Sequence, residues 1–282
     1  MERIRAAIEK ARETRGEVIN GTSGPALNGQ ANGKKANLSE VRGSNAAAWA
    51  ALEEYKPHLN LMNQNRIVTF DQKDNAHVPF DMMRTRVLSA CRQHNWKVVG
   101  ITSPTPACGK TVTAINLAFS FARQKDNRTV LLDADLRRPM VAKNLGITTN
   151  HSMGRFLSGG HAVEDHFMAY GETLAIGTNN RRSLHSAEIL QDAKATEAMN
   201  FLHKSLRPNI VIVDMPPMMA ADDVMAFLPN IDAMLLIAAA GTTKIKEIDN
   251  CERDLSERTN VMGVVLNKCR YTQDSYNYEG YY

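Results

Sequence analysis

The stretch from Lys97 to Ala118 leaves this chain few options. Lys97-Val98-Val99-Gly100-Ile101 is an apolar run of strand length. It feeds a loop of small residues, Ser103-Pro104-Thr105-Pro106-Ala107-Cys108-Gly109-Lys110-Thr111, and then the helix-like Val112-Thr113-Ala114-Ile115-Asn116-Leu117-Ala118. A strand, a tight loop and a helix opening on Gly-Lys-Thr form the layout of a phosphate-binding loop. Backbone N–H groups wrap a polyphosphate, the helix N-terminus adds a favourable dipole, the Lys reaches the terminal phosphates and the Thr hydroxyl faces Mg²⁺. The strict pattern places Gly five residues before Gly109, where this chain has Pro104.

The 282 residues give room for one large α/β domain and an extension. A net charge of +4, without a dense basic run, argues against a nucleic-acid partner. No apolar run approaches the ~18 residues needed to span a bilayer, and Met1-Glu2-Arg3-Ile4-Arg5 has no signal-peptide core. Cysteines at 91, 108, 251 and 269 have neither zinc-site nor disulfide-framework spacing, and the eight histidines have no metal-ligand spacing. The expected compartment is the cytoplasm, where Asn20-Gly21-Thr22 would never meet the glycosylation machinery.

Residues 1–15 set Met1, Ile4, Ala7, Ile8 and Ala11 on one helical face, an amphipathic helix too short to be stable by itself. Glycines at 16, 21, 24, 29, 33 and 43 make 16–44 a flexible linker. Residues 45–94 read as helical, with one helix from Asn45 stopped by Pro57 and another from Pro79 toward Arg92. From 95 to 270 strands and helices alternate, which predicts a parallel β-sheet flanked by helices. The predicted strands are Lys97–Ile101, Thr129–Leu132, Leu174–Ile176, Ile210–Val213, Ala233–Ala238 and Val261–Leu266. The helices between them include Thr111–Gln124, Ser186–His203 and Lys244–Glu257.

Ligands of such sheets bind at the carboxyl ends of the strands, and acids collect there. Val130-Leu131-Leu132-Asp133-Ala134-Asp135 ends in two carboxylates that alternation aims to one side. Ile210-Val211-Ile212-Val213-Asp214 ends in another, before Pro216 and Pro217 stop the strand. A strand-end Asp of this kind holds Mg²⁺ directly or through its waters.

SPTPACGKT, LLDADLRRP and IVIVDMPP together resemble the Walker A, A′ and B motifs of bacterial tyrosine kinases of the CpsD/CapB type, which serve exopolysaccharide and capsule synthesis. The likeness spans about residues 95–270 and implies a MinD-like P-loop NTPase fold using ATP and Mg²⁺. Partitioning ATPases carry a signature Lys where this chain has Thr105, which argues against that group. The resemblance implies that Thr105, Pro106, Ala107, Cys108, Gly109, Lys110, Thr111 and Val112 bind ATP, with Lys110 on the β/γ-phosphates. Thr111, Asp135 and Asp214 would serve the metal. Asp133 and Asp135 would divide metal binding and deprotonation of the incoming tyrosine between them in an order left open. Asn267 and Arg270 would lie near the base, with a strand-end turn as the competing reading of Asn267.

Five of the seven tyrosines fall in the last twelve residues: Tyr271, Tyr276, Tyr278, Tyr281 and Tyr282. Residues 271–282 lack core periodicity, so they read as an accessible tail that a neighbouring subunit phosphorylates, or as an aromatic tail docked on the sheet edge. Relatives assemble through an E-x-x-R-x-x-R helix. Here the segment is Asp81-Met82-Met83-Arg84-Thr85-Arg86-Val87, with Asp first and the second Arg one position early. Self-association is still expected. Cys108 sits in the loop at a helix N-terminus, a position that can depress a thiol pKa and permit redox chemistry. The resemblance also implies a separate membrane-spanning polysaccharide co-polymerase that activates the chain and recruits it to the inner face of the membrane. The alternative function is a nucleotide-driven switch or scaffold for polysaccharide export that transfers no phosphate to tyrosine.

Overall fold

The computed structural model describes residues 46–71, 75–160 and 162–269. The predicted helix at 1–15, the linker at 16–44, Arg270 and the tail tyrosines lie outside the described residues. In chain order the strands are β1 (Glu53–Glu54), β2 (Val98–Thr102), β3 (Thr129–Asp133), β4 (Phe167–Tyr170), β5 (Leu174–Gly177), β6 (Ile210–Asp214), β7 (Ala233–Ala239) and β8 (Asn260–Asn267). The helices are α1 (Leu59–Gln64), α2 (Val78–His94), α3 (Lys110–Ala122), α4 (Val141–Leu145), α5 (Met153–Leu157), α6 (Ser186–Gln191), α7 (Ala193–Ser205), α8 (Asp223–Phe227) and α9 (Ile245–Ser256).

The strands form one sheet in the order β1-β4-β5-β3-β6-β2-β7-β8. Every pairing is parallel except the β4–β5 hairpin, which turns at Gly171 (φ +58°). β2, β3, β6 and β7 are buried along their whole length, as near-continuous Val/Ile/Leu strands covered on both faces should be. Alternation divides their side chains between two cores. Val98, Val130, Leu132, Val211 and Val213 face one side with α7 and α8, while Val99, Ile101, Leu131, Ile210 and Ile212 face the other with α2 and α3.

Three local expectations change. The helix from Asn45 ends at residue 50, and Glu53–Glu54 instead pair with Met168–Ala169 as a short charged edge strand. Leu52 and Tyr55 then enter opposite cores, which a continuing helix would not allow. The helix expected over Ser186–His203 breaks at Asp192, whose extended backbone (ψ 143°) and side chain cap α7 by accepting from Lys194 N. β4 was not foreseen, because four residues between a 3₁₀ turn and Gly171 show little periodicity. Residues 46–94 also belong to the same cores as the rest of the sheet. Trp49 Nε1 donates to Leu206 O at 2.8 Å, and the Tyr55 hydroxyl donates to Leu145 O at 2.8 Å.

Candidate active site

β2, β3 and β6 are adjacent, and Asp133 pairs in register with Asp214. Their carboxyl ends and the start of α3 therefore bring the predicted residues together. The loop between β2 and α3 is braced from below. Met218 N and Met219 N donate to Ser103 O and Pro104 O, and Thr102 Oγ1 donates to Pro216 O. Pro104, where the strict motif has Gly, is thus a fixed bend in a hydrogen-bonded support. Left-handed backbone is taken up later, at Ala107 (φ +64°) and Gly109 (φ +94°). A Cβ on Gly109 would stand 2.2 Å from Asn267 Nδ2 and displace that side chain, and the left-handed backbone angle itself favours glycine there. No side chain caps α3, which leaves its first N–H groups aimed at a cleft of about 1100 Å³.

Pro106, Ala107, Gly109, Lys110, Thr111 and Val112 line that cleft; Thr105 and Cys108 do not. The Cys108 thiol is buried behind the loop, donating to Thr105 O at 3.2 Å and lying 3.5 Å from Thr243 Oγ1. Burial pushes its pKa up, but hydrogen bonds with Thr243 and Thr105 outweigh that and the net shift is downward. Asn267, half-buried at the end of β8, donates to Cys108 O at 2.9 Å and so buttresses the loop from the side.

The floor of the cleft carries the charge. Lys110 Nζ lies 2.8 Å from Asp135 Oδ2 and 3.7 Å from Asp214 Oδ1. Burial alone would lower its pKa, yet Asp214 and Asp135 more than compensate and hold it raised. Thr111 Oγ1 donates to Asp214 Oδ2 at 2.7 Å, whereas Asp214 Oδ1 is buried with no hydrogen-bond partner. Asp133 is fully buried under the cleft and accepts from Asp135 N and Val141 N. Burial, with repulsion from Asp214 and Asp135, raises its pKa well above the carboxylate range. Asp214 is raised by burial too, against the pull of Lys110 and Thr111. Both acids of the Asp133/Asp135 pair are buried, at 0% and 4% exposure, and of the two only Asp135 lines the cleft.

No group of three or more His, Cys, Asp or Glu among the described residues could hold a metal by itself. A Thr hydroxyl beside a carboxylate whose second oxygen has no hydrogen bond, only Lys110 Nζ at 3.7 Å, fits a small hard cation that keeps most of its ligands as water and phosphate. Thr111 and Asp214 are such a set, and their chemistry suits Mg²⁺.

Sequence reasoning missed the cleft's basic wall: Arg137 and Arg138 after β3, Lys143 on α4, and Arg181 and Arg182 after β5. Arg137 is tethered by Asp223, with Nε 3.0 Å from Oδ1. The signal was present in LLDADLRRP and in the N-N-R-R that follows β5, both at carboxyl ends of strands. Asp81 and Arg84 of the presumed assembly helix turn inward instead. Arg84, Arg123 and the Ser120 hydroxyl all donate to Asp81, binding α2 to α3, and Arg86 is left exposed.

A braced loop opening a helix, with a Lys and a Thr set against strand-end acids, defines a P-loop nucleotide-binding protein. The model of the CobQ/CobB/MinD/ParA nucleotide binding domain matches residues 99–279, and the chain belongs to that family. Within it the similarity runs to bacterial tyrosine kinases. Tyrosine-protein kinase CpsD of Streptococcus pneumoniae serotype 4 is 29% identical over 189 residues, 64% of this chain and 79% of the relative. Tyrosine-protein kinase YwqD of Bacillus subtilis is 27% identical over 222 residues, 78% of this chain and 92% of the relative. The kinase domain of Escherichia coli tyrosine kinase ETK superposes with a TM-score of 0.65 at 26% identity, covering 76% of this chain and 84% of that one.

Proposed function

We propose that this chain is an ATP- and Mg²⁺-dependent protein-tyrosine kinase that phosphorylates the tail tyrosines Tyr271, Tyr276, Tyr278, Tyr281 and Tyr282 of a neighbouring copy. The observation that carries it is Asp135, which lines the cleft and touches Lys110 at 2.8 Å. A phosphate-binding lysine is thereby joined to a carboxylate that an incoming hydroxyl can reach.

Thr111 and Asp214 would hold Mg²⁺, which would supply charge neutralisation on the phosphates. Lys110 exchanges Asp135 for the β/γ-phosphates, and that exchange frees Asp135 to accept the tyrosine proton. The tyrosine oxygen forms a bond to the γ-phosphorus as the bond to the β,γ-bridging oxygen breaks, leaving ADP, phosphotyrosine and a proton on Asp135. A phenol of ordinary pKa about 10 needs such a base. Asp133, buried and bonded to two backbone N–H groups, sets the position of Asp135. Domain roles follow: residues 95–270 catalyse, 271–282 are the acceptor, and 45–94 complete the core. The resemblance to bacterial tyrosine kinases supports reading the activity as part of capsule or exopolysaccharide synthesis. Among the described residues no helix is long and apolar enough to cross a membrane, which suits a cytoplasmic kinase recruited by a membrane-spanning activator.

Asp135→Asn tests the proposal with purified protein, Mg²⁺–ATP and the activator's cytoplasmic segment. Phosphotyrosine formation should fall about 10²–10⁴-fold while nucleotide affinity changes only a few-fold. Unaltered phosphotransfer in the variant, or none in wild type, removes the assignment.

A further inference from the structure

A second cleft of about 550 Å³ adjoins the first and shares Asn179, Arg181 and Arg182 with it. Arg155 of α5 stands on its wall together with those two arginines. None of the three makes an ion pair with a carboxylate among the described residues, and Asp165 is the one acid lining the cleft. His166 also lines it. The ring is buried, and its Nδ1 has no hydrogen-bond partner. The backbone closes tightly against this imidazole, because a Cβ on Gly160 would come within 2.8 Å of both His166 Nε2 and Arg155 O. The result is a cleft with three exposed guanidinium groups against one carboxylate, floored by a buried imidazole.

A carboxylate ligand would leave that charge excess standing. A phosphate monoester brings about −1.5 to −2 charge and three acceptor oxygens, which match guanidinium forks. Under the kinase reading the acceptor segment itself makes such groups. Tyr276 and Tyr278 are two residues apart and Tyr281 and Tyr282 are adjacent, so modifying one member of either pair leaves an unmodified tyrosine close by. Two extended residues span about 7 Å, a reach suited to clefts that share their wall. We infer that the Arg155–Arg181–Arg182 cleft is a phosphotyrosine subsite, which holds a tyrosine already phosphorylated while the next one enters the catalytic cleft. This rests on the kinase reading for the source of its ligand, and it makes multiple phosphorylation successive.

The test is binding without ATP. The 282-residue chain, treated with phosphatase, is titrated into a fluorescent peptide of residues 270–282 in three forms: unmodified, phosphorylated at Tyr278, and carrying Tyr278→Glu. The phosphopeptide should bind about tenfold more tightly than the unmodified one, with the Glu form between them and inorganic phosphate competing. Arg155→Gln combined with Arg182→Gln should bring that preference below about twofold, and Lys at both positions should keep part of it. Melting temperatures show whether the Gln variant folds, and the Lys variant decides the matter if it does not. Equal affinity for phosphorylated and unmodified peptide overturns the subsite. So does a Glu form that binds as tightly as the phosphopeptide, a folded Gln variant that keeps the preference, or a single-stranded oligonucleotide that competes as well. Absence of phosphotransfer from ATP would sink the kinase reading while leaving the binding result intact.

Discussion

Replacing Lys110 by Met probes the charge balance on which the cleft depends. Its side chain is 11% exposed, and its partners Asp135 and Asp214, at 2.8 and 3.7 Å, are 5% and 0% exposed. At an effective dielectric of about 20 the two attractions amount to about 6 and about 4–5 kcal/mol before any cost is counted. Desolvation of three charges and repulsion among the acids offset most of this. Removing one partner from a buried pair costs about 3–5 kcal/mol net, which for a unit of this size lowers Tm by about 6–20 °C.

The pH dependence separates this explanation from simple loss of packing. The raised pKa of Lys110 means that its contribution is complete below about 10.4 and fades only as pH climbs through the folded value, so it does not titrate between pH 5 and 8. Asp133 and Asp214 are raised, chiefly by burial, so the folded state keeps protons that the unfolded chain releases. Their contribution is greatest at low pH and is lost as pH rises from about 4 through their folded values. Without Lys110 those values move higher still. The deficit of Lys110→Met in urea unfolding is therefore expected to be larger at pH 8 than at pH 5, alongside loss of nucleotide binding. A deficit of equal size at both pH values, or a variant as stable as wild type at pH 8, refutes the reasoning.

Gly109→Ala should cost about 1–2 kcal/mol in backbone strain and abolish nucleotide binding in calorimetry; adding Asn267→Ala removes the 2.2 Å clash but not the φ of +94°, so binding should stay lost. Asp81 has a lowered pKa, because hydrogen bonds and charge from Arg123, Ser120 and Arg84 overcome its burial. Its contribution is thus present above about pH 4 and lost as pH falls through the folded value, and the stability gap between wild type and Asp81→Asn should close in acid unfolding curves. Iodoacetamide at pH 8, followed by mass spectrometry, should label exposed Cys269 well before buried Cys91 and Cys251, both pushed up to about 11 by burial. Trp49→Ala should cost about 3–5 kcal/mol, and a chain starting at residue 95 should fail to fold in circular dichroism.

The long apolar strands and the Gly-Lys-Thr loop were legible because their signals are local. Ile210–Asp214 has one reading as a buried parallel strand, and the acids at its end and at the end of β3 follow from the rule that ligands gather at carboxyl ends. The remainder depends on contacts distant in sequence. Nothing near Asn45 announces that Trp49 will bond Leu206, 157 residues away, or that Glu53–Glu54 will close a sheet edge. Asp133 and Asp135 look alike in LLDAD; only the turn toward Val141 puts one beneath the cleft and the other, 4% exposed, on its floor. Asp81 and Arg84 have the spacing of a surface assembly motif, yet Ser120 on α3 and Arg123 just beyond its end draw them inward. In each case a polar residue exposed by its local pattern is claimed by a partner from another element. The arginines of the cleft show the converse. Arg138, Arg181 and Arg182 have no such partner among the described residues, and they remain exposed at the mouth of the site. Ion pairs thus hold Asp81 between helices and Asp135 in the cleft, while the unpaired arginines leave positive charge at its mouth.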